Sequence, residues 1–252
     1  MFDEVLTSAY QSFKFQKFIS TFNTANSVEV LKKIEEIEKK LERGEDVRKE
    51  FWKIAGEIKR LQTDEEIIER ASRIRDQLFQ RRIILSFKSG FALFLTLFIA
   101  FNLLFFHVST SFEDGVAKAL MILGIEVGTI YASFLVGRCV GSIVSGINVD
   151  GFYRYSVLEF GVRMNYRDYL RAEPIKRVIL FSSALILEHF ILALHTVYLI
   201  PVSDFWVIPA FFLVINLPVS YIIHRKAKTG ELHRLLREMK IMRESEQGKD
   251  GF

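Results

Sequence analysis

Residues 178–200 read VILFSSALILEHFILALHTVYLI, an apolar run interrupted only by Glu188, His189, His195 and a few hydroxyls. Its length decides the fold class, because about 20 predominantly apolar residues cross the roughly 30 Å hydrocarbon core of a bilayer as a helix. Three other stretches satisfy the same condition, giving spans at about 83–106, 116–137, 178–200 and 205–223. None alternates with period two, so a β-barrel is not expected. Being apolar on all faces, the four also lack the polar face that a surface helix of a soluble bundle carries. The expected fold is all-α: a polytopic membrane protein whose four-helix transmembrane domain occupies 83–223.

Composition agrees. The 252 residues are 50% hydrophobic and 25% charged, and the charges crowd 27–82 and 224–252, outside the spans. With 24 Phe and 4 Pro, long helices are favoured over loop-rich architectures, and the single Cys139 excludes an intramolecular disulfide framework or a Cys-rich metal site. The opening residues MFDEVLTSAYQSFKFQKF carry acids early and lack a continuous apolar core, so no cleavable signal peptide is expected. The net charge is only +4, with bases distributed by loop position, which gives no support to a nucleic-acid partner.

Charge in the loops sets an expected direction. HVSTSFEDG, between the first two spans, and PVSD, between the last two, hold acids and no Lys or Arg. Arg81 and Arg82, the middle loop with Arg154, Arg163, Arg167, Arg171, Lys176 and Arg177, and the tail beginning HRKAK are all basic. By the positive-inside rule both termini are cytoplasmic.

Residues 27–82 are expected to form a cytoplasmic helical hairpin or coiled-coil region. Three seams show 4-and-3 spacing: Val30, Ile34, Ile37 and Leu41; Val47, Phe51, Ile54, Ile58 and Leu61; Ile67, Ala71, Ile74 and Leu78. Gly44 suits the stop of the first helix, Thr63 with Glu66 suits a capping box on the third, and nothing obvious separates that third helix from the first span. Residues 1–26, with Phe13, Phe15, Phe18, Ile19 and Phe22 around Lys14 and Lys17, read as an amphipathic segment for the headgroup boundary or for packing on the hairpin. Residues 224–252 read as a C-terminal amphipathic helix and tail, with Leu232, Leu235, Leu236 and Met239 on one face, continuing the fourth span into solvent.

Inside the spans, helical rise places three polar residues at one depth. Glu126 is about 15 Å from the outer end of its span, Glu188 about 16 Å from the inner end, and Asn216 about 16 Å from the outer end, all near the midplane. His195 returns to the Glu188 face seven residues on. A charge at mid-span costs at least about 2.5 kcal/mol on insertion scales. Glu126, Glu188, Asn216 and His195 therefore read as an ion or proton site, or else as neutral interhelical hydrogen-bonding groups. Lys88, Arg138 and Lys118 lie close enough to an interface to extend their heads to water.

The second span also carries small residues four apart, Thr129, Ser133, Gly137, Gly141 and Ser145, and the pair Gly124 and Gly128. Such spacing makes a groove for another helix, from this chain or a second copy. Pro209 and Pro218 predict a bend in the fourth span.

The layout of four spans with both ends inside, Ser89 to Ala92 reading SGFA in a first span entered through basic residues, Glu188 in the third span and a proline-bent fourth span resembles Orai-type calcium channels. That resemblance implies an oligomeric channel. Phe98 stands where the family's pore glutamate would fall, so no site residue is carried over. The function expected from the sequence is an oligomeric cation channel or proton-coupled transport protein, the alternative being a non-transporting scaffold or regulator whose cytoplasmic helices bind a protein partner. A membrane metal site built on Glu188 and His195 lacks an HExxH-type signature. No nucleophilic triad or nucleotide loop stands out, so neither an enzyme nor a cofactor is expected, and the expected partners are the lipid bilayer and further copies of the chain.

Overall fold

The structure, a computed structural model, describes residues 27–61, 64–80, 82–154, 160–227 and 230–250. It is mostly helical and divides into two compact units. The amphipathic segment at 1–26 lies outside the described residues.

The first unit holds α1 (27–42), α2 (Arg48–Leu61), α3 (Glu65–Leu78) and the short α6 (Tyr166–Arg171). Its core is made by the periodic residues Val30, Ile34, Ile37, Val47, Phe51, Ile54, Ile58, Ile67, Ala71 and Ile74, each no more than 6% exposed. Gly44, at φ 77°, ends α1 by donating its amide to the carbonyl of Leu41 at 2.9 Å. The first residue of α3 is preceded by Asp64 as N-cap, whose side chain makes no cap bond; Thr63 of the expected capping box lies outside the described residues. Ion pairs tie the helices together at the surface: Lys33 to Glu57 at 3.0 Å, Lys40 to Glu50 at 2.9 Å and Arg70 to Glu38 at 2.5 Å. Helix α6 joins this unit through Lys59, which donates to the Tyr169 hydroxyl at 2.7 Å, and through Arg167 and Arg171, which both grip Glu65.

The second unit contains β1 (Ile83–Ser86), α4 (Phe87–Ser111), α5 (Val116–Ser145), β2 (Val149–Arg154), β3 (Phe160–Met164), α7 (Pro174–Leu199), a 3₁₀ turn (Asp204–Trp206), α8 (Val207–Ala227) and α9 (Gly230–Asp250). Among the described residues, α4, α5, α7 and α8 with its preceding turn are long and apolar enough to cross a membrane. Helix α5 packs on α4 and α7, and α7 on α8.

The sheet β1-β2-β3, antiparallel throughout, corrects the all-α expectation. Ile83 to Ser86 form an edge strand instead of the start of the first span, and Ser86 caps α4 by accepting from the Ser89 amide at 3.3 Å. An apolar run such as IIL has no periodicity of its own, so hydropathy merges it with the helix that follows. Gly151 is what admits the strand: at φ 154°, a Cβ there would lie 2.5 Å from the Leu85 carbonyl oxygen. With β1 in place, α3 does not run into the first span as one rod.

Two further boundaries move. Helix α5 extends past 137 to Ser145, where Gly146 at φ 71° ends it. Helix α9 is not a solvated continuation of α8: it starts at Gly230, φ 85°, and packs against α7 and α8 with Glu238 and Ile241 buried.

Candidate functional site

Helices α4, α5 and α7 each bring one polar residue to a common point. His195 of α7 and Glu126 of α5 are both fully buried, and His195 Nδ1 lies 2.9 Å from Glu126 Oε1. The other ring nitrogen, Nε2, lies 3.1 Å from Asn102 Oδ1 of α4, and the Asn102 amide nitrogen donates to its own helix at the Phe98 carbonyl, 2.6 Å away. The ring of Phe105 stacks on the imidazole with centroids 3.6 Å apart, and Phe106 meets it edge-on at 5.9 Å. An apolar cluster of Phe105, Val108, Ile122, Ile125 and Leu199 surrounds the group. Glu126 Oε2 and, one turn along α5, Thr129 Oγ1 are buried with no hydrogen-bond partner.

Glu188 takes different company. Its Oε1 accepts from the Asn216 amide of α8, and Asn216 Oδ1 in turn accepts from Ser220 Oγ at 3.4 Å. The four candidate residues, three nominated by depth and His195 by its helix face, therefore divide into two pairs, Glu126 with His195 and Glu188 with Asn216. His189 turns back onto its own helix, Nδ1 lying 2.8 Å from the Leu185 carbonyl. Glu188 and His195 do not share a partner, and among the described residues no group of three or more His, Cys, Asp or Glu converges in a way that would hold a metal.

Asn102 was missed by sequence reasoning, although its depth could have identified it. Nine residues from Ser111, it lies about 14 Å from the outer end of its helix, the same level as Glu126.

The groove on α5 is filled by α7 of the same chain. A Cβ at Gly137 would lie 2.7 Å from the Ala184 Cα, and one at Gly141 2.9 Å from the Leu180 carbonyl oxygen, so the two backbones meet. Ser133 is buried and donates to the Ile130 carbonyl at 2.9 Å. Gly128 abuts the Phe101 ring of α4. Gly124 is not part of any such contact: it is exposed, and a Cβ there would meet nothing within 4 Å.

At the ends of the helices the bases are bonded rather than extended. Lys118 donates to Asp114 Oδ1 at 2.8 Å and to the Ser109 carbonyl at 2.9 Å, and Ser203 donates to the same Asp114 oxygen at 2.9 Å. The Lys118 ammonium first, then the Ser203 hydroxyl, holds the Asp114 carboxyl below the usual carboxylate range. Arg138 pairs with Glu231 and lies over the Phe181 ring, 4.4 Å from its centroid. Arg177 and Glu238, at 1% and 0% side-chain exposure, pair at 2.8 Å. Only Lys88 of the three interfacial bases remains exposed.

No family model, curated protein or solved structure matches this chain. The fold itself defines the class: four apolar helices compatible with a multi-pass membrane protein.

Proposed function

We propose that the chain is a membrane ion-transport protein, an oligomeric cation channel or proton-coupled carrier that works through its mid-span carboxylates. The observation that carries this reading is the pairing of Glu126 with His195 at zero exposure between three apolar helices, with one carboxylate oxygen left unbonded. A bundle that needed only polar contact could use amides, which donate and accept without ionising. An acid and an imidazole add titratable chemistry, and intramembrane ionisable groups mark ion or proton pathways. The loop charges support an orientation with both termini, the first helical unit and α9 on the cytoplasmic side. Four spans per chain are few for enclosing a pathway, which supports a homo-oligomer.

The alternative is a non-transporting scaffold or regulator with a cytoplasmic protein partner. It draws on α6, a segment between the second and third spans that Arg167 and Arg171 clamp to Glu65 of α3, building part of a membrane loop into a helical platform. The purified chain in liposomes, challenged with cation gradients and with a pH gradient, distinguishes the two. Transport predicts flux above protein-free vesicles and its loss in Glu126→Gln; flux no greater than in protein-free vesicles for every ion would leave the scaffold.

A further inference from the structure

We propose that Glu126 and His195 jointly hold a single exchangeable proton, shared between Glu126 Oε1 and His195 Nδ1, which makes H⁺ the ion this site takes up and hands on. The use of that proton rests on the transport reading above. Its presence rests on hydrogen-bond polarity alone.

Asn102 fixes the polarity of the hydrogen bonds. Its amide nitrogen donates to the Phe98 carbonyl at 2.6 Å, and turning the amide over would set two acceptor oxygens against each other at that distance. Oδ1 therefore faces His195, and Nε2, 3.1 Å away, must carry a hydrogen to donate. The other contact, Nδ1 to Oε1 at 2.9 Å, is a hydrogen bond only with one proton between the two atoms. That proton sits on Oε1, giving a carboxylic acid and a neutral imidazole, or on Nδ1, giving a carboxylate and an imidazolium. Both arrangements have the same proton count and no net charge. Removing the proton leaves a carboxylate oxygen facing a bare ring nitrogen, with a negative charge in an apolar cluster. Adding one, at Oε2, leaves an imidazolium with no counter-charge. Either departure is opposed by the cost of burying an unpaired charge.

The neighbours reinforce the pairing. From α5 the titratable group against His195 is Glu126; α4 supplies Asn102, Phe105 and Phe106, none of which ionises here, and on α7 the adjoining Thr196 donates back to the Leu192 carbonyl at 2.7 Å. Phe105, stacked at an interplanar angle of 8°, covers one ring face and accommodates an imidazolium as well as an imidazole. A metal cation held by the imidazole would need a ring lone pair, and both nitrogens are engaged. Exchange uses the position of Glu126 Oε2, the oxygen without a partner. In the acid form the carboxyl turns over, so that the protonated oxygen leaves the His195 contact for that position and releases H⁺, leaving carboxylate and neutral imidazole. Uptake of H⁺ there followed by the reverse turn restores the pair.

The experiment is magnetic resonance of the full-length chain in lipid, with ¹⁵N-labelled His and ¹³C-labelled Glu carboxyls, titrated from about pH 4 to about pH 10, which brackets ordinary carboxylate and imidazole exchange. Expected are a His195 Nε2 that stays protonated throughout and a single transition in which His195 Nδ1 and the Glu126 carboxyl change together. Glu126→Gln, close to isosteric, assigns the carboxyl signal and should abolish the joint transition. Zn²⁺, Ca²⁺ or Na⁺ added at fixed pH should leave the His195 resonances in place. Separate midpoints for the two groups, no transition in the range, an unprotonated Nε2, or a cation-dependent shift each overturn the proposal. A joint transition in a chain that passes no ion would instead overturn the transport reading, and flux without a joint transition would overturn the shared proton alone.

Discussion

Glu188 is the residue at which ionisation and hydrogen bonding can be separated by substitution. Its carboxyl accepts from Asn216, a bond that the carbonyl oxygen of a Gln in the same place can also accept. Glu188→Gln is therefore expected to keep the wild-type melting temperature and, where Glu188 is part of the transport pathway, to lose or alter flux. Glu188→Leu removes the acceptor and should destabilise by about 1 kcal/mol, the scale of a hydrogen bond between membrane helices. Unchanged flux in Glu188→Gln would assign the residue to packing. Glu65, far from the spans, responds to pH in a defined direction. Arg171 first and Arg167 second hold its carboxyl below the usual range, so the contribution is present above the unfolded-state value and disappears as pH falls through the lower, folded value. The protection of the α6 amides, taken relative to the intrinsic exchange rate at each pH, should fall on acidification below about pH 4, the ordinary carboxylate range. Glu65→Gln should show the lower protection already at neutral pH; equal protection in the variant and the wild type would show that α6 is held by Lys59 and Tyr169 instead.

At the scale of elements, what the sequence reveals depends on whether a signal is local. The core-facing residues of the first three helices are spaced along single helices, so Ile34, Ile58 or Ile74 can be picked out by counting. The Glu126 level in α5 is equally legible, being a depth along one rod. Its partner is not: whether Glu126 meets His195 or Glu188 depends on the rotation of α5 against α7, which is fixed by Gly137 and Gly141 meeting the α7 backbone. The β1 edge strand and the Arg177–Glu238 pair were illegible for the same reason, since each exists only through contacts between elements distant in sequence. The glycine contact yields a graded prediction. Gly137→Leu and Gly141→Leu place a side chain where even a Cβ would lie under 3 Å from the backbone of α7, and should destabilise by roughly 1–3 kcal/mol, the range for overpacking. Gly124→Leu, in open space, should not. Equal melting temperatures for all three in mild detergent would show that the α5–α7 contact does not set stability. Glu238→Ala tests the other inter-element link: it leaves Arg177 buried without its carboxylate, a loss of about 3–5 kcal/mol when one member of a buried pair is removed.

For the whole molecule the decisive property is orientation, because it determines which side of the membrane each loop and both termini face. The charge bias predicts that the turns after α4 and after α7 lie outside and the α1–α2 turn inside. Ser111 and Val202 are exposed in the first two places and Glu45 in the third, whereas Ser203, bonded to Asp114, is a poor reporter. Cys139 is buried and does not compete for reagent. With single cysteines at these positions, a membrane-impermeant thiol reagent added to sealed cells should modify Ser111→Cys and Val202→Cys, and should reach Glu45→Cys only after permeabilisation. The reverse pattern would keep four spans but invert the protein, placing the first helical unit outside and removing the case for a cytoplasmic partner. Ser111→Cys and Val202→Cys labelling from opposite sides would mean an odd number of crossings between them, and the four-span arrangement would fail with it.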